Sequence, residues 1–186
     1  MIYLLFQKSL GQNSKFYKFL KTVPKSYTNP SLWKVEEIKL LPKSLQDKTI
    51  KEQEDIDKSY EKVSKLLARC PELTELKVTK SDYYWAYFSL VTRAFYWGDH
   101  YTRTENAMIM HKNLVRSAYR SYAMLPLIDM FNHHCNFGKS NAKLVMDNNR
   151  FEITTENGFK KGAQVFIQYG GSHSSSDLLQ FYGFFN

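Results

Sequence analysis

The chain has 186 residues, the size of one domain or of a piece of a larger one. Hydrophobic residues make up 43% and charged residues 24%, a balance that excludes a wholly disordered chain. The 26 basic and 18 acidic residues give a net charge of +8, with most of the excess in residues 1–80. This charge predicts a solvated lysine-rich surface or one that meets acidic partners. No basic run is long enough to favour direct nucleic-acid binding.

The cysteine count and the apolar segments predict a compartment. Cys70 and Cys135 are too few for a disulfide framework, which indicates a reducing environment. Residues 1–6 are apolar but lack the basic flank and cleavage site of a signal peptide. No apolar run approaches the roughly 20 residues that a membrane span needs. We therefore expect a soluble protein of the cytoplasm, the nucleus or both, with no membrane partner.

The first half of the chain has helical periodicity. Residues 45–69 carry apolar side chains at three- and four-residue steps among charges, which predicts an amphipathic helix that ends at Pro71. Asp82 is predicted to cap a second helix that runs to about Trp97 and is apolar almost all round, as buried helices are. Residues 98–121 are polar and are predicted to form a loop.

In the second half of the chain, the hydrophobic periodicity changes from that of helices to that of strands. Residues 143–147 and 150–154 predict a β-hairpin around Asn148-Asn149, and residues 163–169 predict a buried strand. A serine-rich stretch, 172–176, is predicted to cap a last helical turn that reaches Tyr182. Helices followed by strands predict an α+β fold.

Three clusters carry groups that are useful for chemistry. In the first, an apolar segment leads into Asp129, Asn132, His133, His134 and Cys135. Histidine and cysteine are zinc ligands, but a zinc site needs about four ligands at suitable spacing. The other histidines and Cys70 are distant and unpatterned, so we predict no metal. A buried polar turn that satisfies nearby backbone groups is the structural alternative.

The other two clusters are aromatic. Tyr169 ends the predicted buried strand before Gly170-Gly171, where a hydroxyl can be presented to a cavity. Residues 181–185 form an aromatic run near the end of the chain. Taken singly, each cluster is as typical of a packed core as of a binding site.

Taken together, the clusters resemble the catalytic half of a SET-domain protein methyltransferase, in the branch of the Rubisco large-subunit methyltransferases. The resemblance rests on Thr92-Arg93, the P-L-x-D-x-x-N-H segment 126–133, Tyr169-Gly170 and the Y-G-F element 182–184. Within the branch, residues 20–48 are most similar to the subgroup of SET domain-containing protein four.

The resemblance implies an architecture. Residues 1–120 would hold the helical insert of the SET domain, and residues 121–186 the β-rich C-terminal half of its core, a β-clip. The family's first strands carry a G-x-G loop, whereas this sequence has eight glycines and no G-x-G. We therefore expect the N-terminal SET strands to be missing, as in a fragment, a truncated gene model or a degenerate relative. Such a chain is expected to bind its cofactor weakly and to turn over poorly or not at all.

The resemblance also implies an activity, the transfer of a methyl group from S-adenosylmethionine to a lysine of a histone or non-histone protein. Tyr169 would be the active-site tyrosine and Tyr182 would line the substrate channel. The cofactor would be bound by five residues: Arg93, at its carboxylate, Asp129, Asn132, His133 and Phe184, against adenine. Histidine-methylating relatives have Trp where this chain has Ile128, which favours lysine.

Two alternatives stay open. Arg93 is expected to pair either with the cofactor carboxylate or with an acid such as Asp129, because an unpaired buried charge is costly. The whole chain is either an enzyme, or part of one, or a catalytically dead interaction module that uses the basic helical insert as its contact surface.

Overall fold

The computed structural model describes residues 1–70, 76–98, 120–134, 142–147, 150–169 and 173–185. These residues form two compact units, the first from 1–92 and 174–185 and the second mainly from 93–173. The sequence predicted a different division, at residue 120, between a helical insert and a SET core. The two compact units do not test that boundary, which stays a prediction. Within the described residues, helices and strands are both present, as the predicted α+β class requires.

Helices dominate the first unit. In the described residues the helices are α1 (Ile2–Ser9), α2 (Tyr17–Leu20), α3 (Val35–Ile38), α4 (Lys43–Leu67), α5 (Lys80–Arg93) and α6 (Ser175–Tyr182). Short 3-10 turns occur at Gly11–Asn13 and Pro30–Leu32. None of the helices in these parts of the chain is long and apolar enough to cross a membrane.

Helix α4 confirms the predicted amphipathic helix. Leu45, Thr49, Ile56 and Leu67 are buried along one side. On its exposed side, Lys58 pairs with Glu54 at 3.2 Å, a spacing of one helical turn. Burial of the apolar side chains supplies most of the stability, since exposed pairs of this kind contribute only about 0.3–0.5 kcal/mol.

Helix α5 is buried as predicted, but both of its ends differ from the prediction. Thr79 precedes the helix, and its hydroxyl accepts the Asp82 N–H at 3.1 Å while the Asp82 carboxylate accepts the Thr79 N–H at 3.2 Å. Asp82 is therefore the third helical residue of a capping box, not the cap. The helix ends at Arg93 instead of near Trp97, and the chain continues as a strand.

Polar contacts join α5 to α4. The Tyr84 hydroxyl donates to Asp57 at 2.8 Å, and the Tyr87 hydroxyl donates to Glu52 at 3.1 Å. Glu52 also accepts from the Ser31 hydroxyl. Burial raises the pKa of both tyrosines, so they remain neutral donors at ordinary pH.

The second unit contains the strands of the described residues, in three pairs. β1 (Ala94–Gly98) is antiparallel to β2 (Arg120–Met124), with Ala94 opposite Met124. β4 (Ala142–Asp147) is antiparallel to β5 (Arg150–Thr155). β3 (Asn132–His133) is parallel to β6 (Phe166–Ile167). Phe95, Ala142 and Ile167 are buried in this unit.

The predicted hairpin is confirmed by β4 and β5, although its turn at 148–149 lies outside the described residues. The predicted strand at 163–169 is shorter than expected, because only Phe166–Ile167 pairs. Ala163 instead closes a turn, its N–H donating to the Lys160 carbonyl at 3.0 Å. The predicted loop at 98–121 falls mostly on residues 99–119, outside the described residues, and its two ends belong to β1 and β2.

Candidate active site

A strained turn presents Asp129. Leu127 has φ +75° and ψ −44°, a conformation that a leucine rarely adopts. The turn allows the Asp129 N–H to donate to the Leu125 carbonyl at 3.0 Å, and a 3-10 turn follows over Ile128–Met130. Because Leu127 is 75% exposed, packing of its side chain does not account for the strained backbone. Backbone strain of this kind concentrates at functional sites.

Short parallel pairing joins the two predicted clusters. The His134 N–H donates to the Ile167 carbonyl at 3.1 Å, which extends the β3–β6 pair by one bond. This register places His133 beside Tyr169, whose N–H donates to His133 Nδ1 at 2.9 Å. The two rings lie 5.3 Å apart between centroids. Because Nδ1 accepts this bond, the imidazole is neutral and carries its proton on Nε2.

The hydroxyl of Tyr169, like its backbone N–H, donates a hydrogen bond. It donates to the Phe131 carbonyl at 2.5 Å. Burial raises the pKa of Tyr169 to about 12, with Arg93 opposing and Asp129 adding to the shift. The hydroxyl is therefore neutral at physiological pH and cannot act there as a tyrosinate base.

Arg93 and Asp129 form a buried ion pair. Arg93 Nη1 donates to Asp129 Oδ2 at 2.9 Å and to the Asp129 carbonyl at 3.1 Å. The side chain of Arg93 is 18% exposed and that of Asp129 is fully buried. Burial raises the pKa of Asp129 despite the guanidinium, so desolvation outweighs attraction. Its Oδ1 has no hydrogen-bond partner within the described parts of the chain.

The second unit thus brings together five of the predicted site residues. Tyr169 contacts His133 directly, and the charges of Arg93 and Asp129 act on its hydroxyl. Asn132 precedes His133 on β3 and is exposed. Arg93 was expected inside a helix, but it is the last residue of α5, where a cation also favours the helix dipole.

The remaining two, Tyr182 and Phe184, belong to the first unit. Helix α6 begins in a capping box, in which the Ser174 hydroxyl accepts the Asp177 N–H at 3.2 Å. Its end is Gly183, in the left-handed conformation with φ +78°. The rings of Tyr182 and Phe184 flank this glycine with centroids 6.2 Å apart. Their roles in a substrate channel and at adenine stay predictions.

Three features of the site could not be predicted from the sequence. The Phe131 carbonyl accepts the tyrosine hydroxyl, and a backbone acceptor leaves no signal in residue type. The parallel pairing of β3 with β6 was also not predicted, since two-residue strands have no periodicity to detect. Leu127 follows Pro126 in the motif, but nothing in a leucine signals a positive φ.

The acidic and histidine side chains of the described residues do not gather into a cluster of three or more that suits a metal ion. Cys135 of the first sequence cluster, together with His100 and His111, lies outside those residues.

Comparison with known proteins shows which ones this chain resembles in sequence. The chain is 27% identical to human SET domain-containing protein 4 over 98% of this chain and 40% of that protein. It is 24% identical to the Rubisco large-subunit N-methyltransferase of Nicotiana tabacum, over 97% of this chain and 35% of the relative. Actin-histidine N-methyltransferase of Danio rerio is 25% identical over 99% of this chain. No protein-family model matches.

Solved structures agree in fold. The SET domain of LSMT bound to lysine and AdoHcy superimposes over 100% of this chain with a TM-score of 0.72 and 21% identity. Rubisco LSMT bound to AdoMet gives the same score. The chain therefore has the fold of a SET domain, and the curated proteins it resembles in sequence are methyltransferases. It spans 40% of the first of these SET structures, and 40%, 35% and 28% of the three curated relatives named above.

The His133 contact predicts a pH dependence of the SET fold. Burial, aided by His173 and His134, lowers the pKa of His133, so the unfolded chain takes up its proton first as pH falls. The stabilisation is therefore complete above about pH 6.5 and is lost as pH falls through the folded pKa. In His133→Asn, whose amide oxygen keeps an acceptor, we expect a smaller loss of unfolding free energy between pH 7.5 and 5.5. Urea denaturation at each pH measures the unfolding free energy. If that free energy falls equally in the two proteins between pH 7.5 and 5.5, the prediction is wrong.

Proposed function

We propose that this chain forms part of the active site of an S-adenosylmethionine-dependent protein-lysine N-methyltransferase. The observation that carries the proposal is the double attachment of Tyr169, through its N–H to His133 and through its hydroxyl to Phe131. These bonds join the Tyr-Gly strand end to the Asn-His segment. The same chain superimposes on structures bound to AdoMet, and to lysine with AdoHcy.

The residues of the second unit fit the proposed cofactor. A guanidinium has five N–H donors, and Arg93 uses only Nη1 on Asp129, which leaves donors for an anionic carboxylate. The exposed Asn132 offers an amide donor and acceptor. When bound, S-adenosylmethionine supplies a methyl group on a positively charged sulfonium. Arg93, Asn132 and His133 would hold it, with Phe184 proposed against adenine.

Tyr169 is proposed to position groups and not to transfer protons. Its pKa of about 12 keeps the phenol neutral, and a hydroxyl that donates to a carbonyl still has acceptor lone pairs for weak C–H donors. A lysine amine has a pKa of about 10.4 in water and must be neutral to act as a nucleophile. Desolvation in an aromatic channel, to which Tyr182 is assigned, lowers that pKa. Alignment and desolvation would then supply the catalysis.

The substrate is proposed to be a lysine of a histone or non-histone protein, in the cytoplasm, the nucleus or both. Relatives of this chain include both a lysine methyltransferase, which acts on fructose-bisphosphate aldolase, and a histidine methyltransferase, which acts on actin. Ile128 supports lysine, because the histidine-methylating relatives are expected to have Trp there. Direct binding of nucleic acid or membrane forms no part of the proposal.

An interaction module without catalysis is the second candidate. It is favoured by the Arg93–Asp129 pair, which already neutralises the charge that the cofactor carboxylate would otherwise meet. In that case the basic, lysine-rich helical surface would be the contact region.

The variant Tyr169→Phe tests whether the chain acts as a methyltransferase or as an interaction module. It is expected to reduce methyl transfer by about 100-fold or more, because small misplacements at a reacting centre have effects of that size. Cofactor affinity should change only a few-fold. Tyr17→Phe, which removes a hydroxyl from the first unit, should leave both unchanged. The measurements are calorimetric titration and transfer of radiolabelled methyl groups, on this chain and on any longer natural protein that contains it.

Equal activity of Tyr169→Phe and the parent protein would remove Tyr169 from the active site. Absence of both cofactor binding and methyl transfer from every form would favour the interaction module instead.

A further inference from the structure

Two residues of an early loop bind the end of the last helix. The Thr28 hydroxyl donates to the Gly183 carbonyl at 3.0 Å, and the Asn29 amide donates to the Gln180 carbonyl at 3.0 Å. Carbonyls at the end of a helix lack partners within it, so these bonds satisfy groups that would otherwise need water. We refer to Thr28 and Asn29 together as the 28–29 clamp.

The clamp and the helix end touch at Gly183. A Cβ atom built on this glycine would lie 2.6 Å from the Thr28 hydroxyl oxygen and 3.0 Å from the Asn29 nitrogen. Gly183 also has φ +78°, where side chains are disfavoured. Both the conformation and the close approach therefore require glycine at this position.

The clamp is itself held in place within the first unit. The Trp33 indole donates to the Thr28 carbonyl at 2.9 Å, and the Leu32 N–H donates to the Asn29 carbonyl at 2.9 Å. Asn29 is fully buried. Its partner residue Gln180 is 8% exposed and reaches Glu52 of α4 with its side chain. The end of α6 is thus tied to a braced loop and not merely packed against it.

The residues on either side of Gly183 are Tyr182 and Phe184. Their rings lie 6.2 Å apart at an interplanar angle of 47°, and the backbone of Gly183 joins the two residues. We infer that Thr28 and Asn29 are positioning residues that fix Tyr182 and Phe184 for substrate and cofactor. This inference rests on the proposed function, which assigns Tyr182 to the substrate channel and Phe184 to adenine.

A purely structural role for the clamp would make a different prediction. Loss of one exposed hydrogen bond would then lower stability slightly and leave the local environment of Tyr182 unchanged. A positioning role requires that Tyr182 itself responds, and that a side chain with the same hydroxyl restores it.

The test uses ¹⁹F NMR of the chain with 3-fluorotyrosine incorporated at position 182. Thr28→Ala is expected to shift or broaden the resonance, whereas Thr28→Ser keeps the donor and should retain the parent spectrum. Thr22→Ala is the matched control, because the Thr22 hydroxyl also donates to a backbone carbonyl, that of Phe19, at 2.7 Å in the same unit. An unchanged resonance in Thr28→Ala, or equal changes in Thr28→Ala and Thr22→Ala, would overturn the inference.

The enzymatic readout uses the protein form in which methyl transfer is detected. Thr28→Ala is expected to raise the KM for a lysine peptide several-fold with a smaller change in kcat, and Thr28→Ser should restore the KM. A KM that stays at the parent value would also overturn the inference. If no form transfers methyl groups, the proposed function fails while the ¹⁹F result still decides whether the clamp positions Tyr182.

Discussion

Arg93→Met is expected to lower the free energy of unfolding by about 3–5 kcal/mol near neutral pH, because it leaves a buried carboxylate without its countercharge. The Asp129 side chain is fully buried, and Arg93 supplies the ion pair at 2.9 Å. Asp129 Oδ1 has no hydrogen-bond partner in the described residues, and besides Arg93 only smaller backbone contributions from Asp129 and Leu127 stabilise the charge. Urea denaturation followed by circular dichroism measures the loss.

The pH dependence of this loss identifies its cause. Burial already raises the pKa of Asp129, and removal of Arg93 should raise it further. A carboxyl whose pKa is raised by folding stabilises the protein at low pH and loses that effect as pH rises through the folded pKa. The destabilisation by Arg93→Met should therefore be larger at pH 8 than at pH 5.

Two further variants act as controls. The double variant Arg93→Met with Asp129→Asn removes both charges and should recover much of the lost stability. Lys58→Met breaks an exposed pair, in which the two side chains are 64% and 60% exposed, and should cost less than about 1 kcal/mol. If Arg93→Met loses no more stability than Lys58→Met, or loses equally at pH 5 and pH 8, the ion pair does not have the importance assigned to it.

Gly183→Ala is expected to destabilise the protein by about 2–5 kcal/mol, with two additive causes. A positive φ costs an alanine about 1–2 kcal/mol. Overpacking adds about 1–3 kcal/mol, because the new methyl group would meet the Thr28 hydroxyl at 2.6 Å and backbone atoms at 3.0 Å. The thermal unfolding midpoint and the unfolding free energy should both fall.

Gly162→Ala provides the matched control. Gly162 has φ +85° and no atom within 4 Å of a built Cβ, so its substitution measures backbone strain alone. A loss in Gly183→Ala no greater than in Gly162→Ala would show that close approach to the 28–29 clamp contributes nothing. Combining Gly183→Ala with Thr28→Ala should relieve only the contact with the hydroxyl, since the backbone contacts remain.

Local patterns predicted the elements whose stabilising contacts are local. Helix α4 follows from apolar residues at helical spacing, and its buried residues Leu45, Ile56 and Leu67 lie on one side as that spacing requires. The capping of α6 by its serine-rich start was also predictable, because Ser174 bonds only three residues away. The β4–β5 hairpin joins neighbours along the chain.

The end of α5 was not predictable in this way. Ala94–Gly98 is an almost unbroken apolar run, which suits a buried helix and a buried strand equally. Its strand conformation depends on pairing with Arg120–Met124, more than twenty residues further along the chain. Propensity and periodicity contain no information about such a distant partner.

At the site, the sequence by itself determined which residues to consider. The P-L-x-D-x-x-N-H, Y-G and Y-G-F segments carried Asp129, Asn132, His133, Tyr169, Tyr182 and Phe184, as the family resemblance implied. Only the tertiary structure decided their partners. Arg93 had two candidate partners and is paired with Asp129, and Tyr169 bonds to a backbone carbonyl. The physical reason is that residue types specify which bonds are available, whereas burial and strand register determine which of them form.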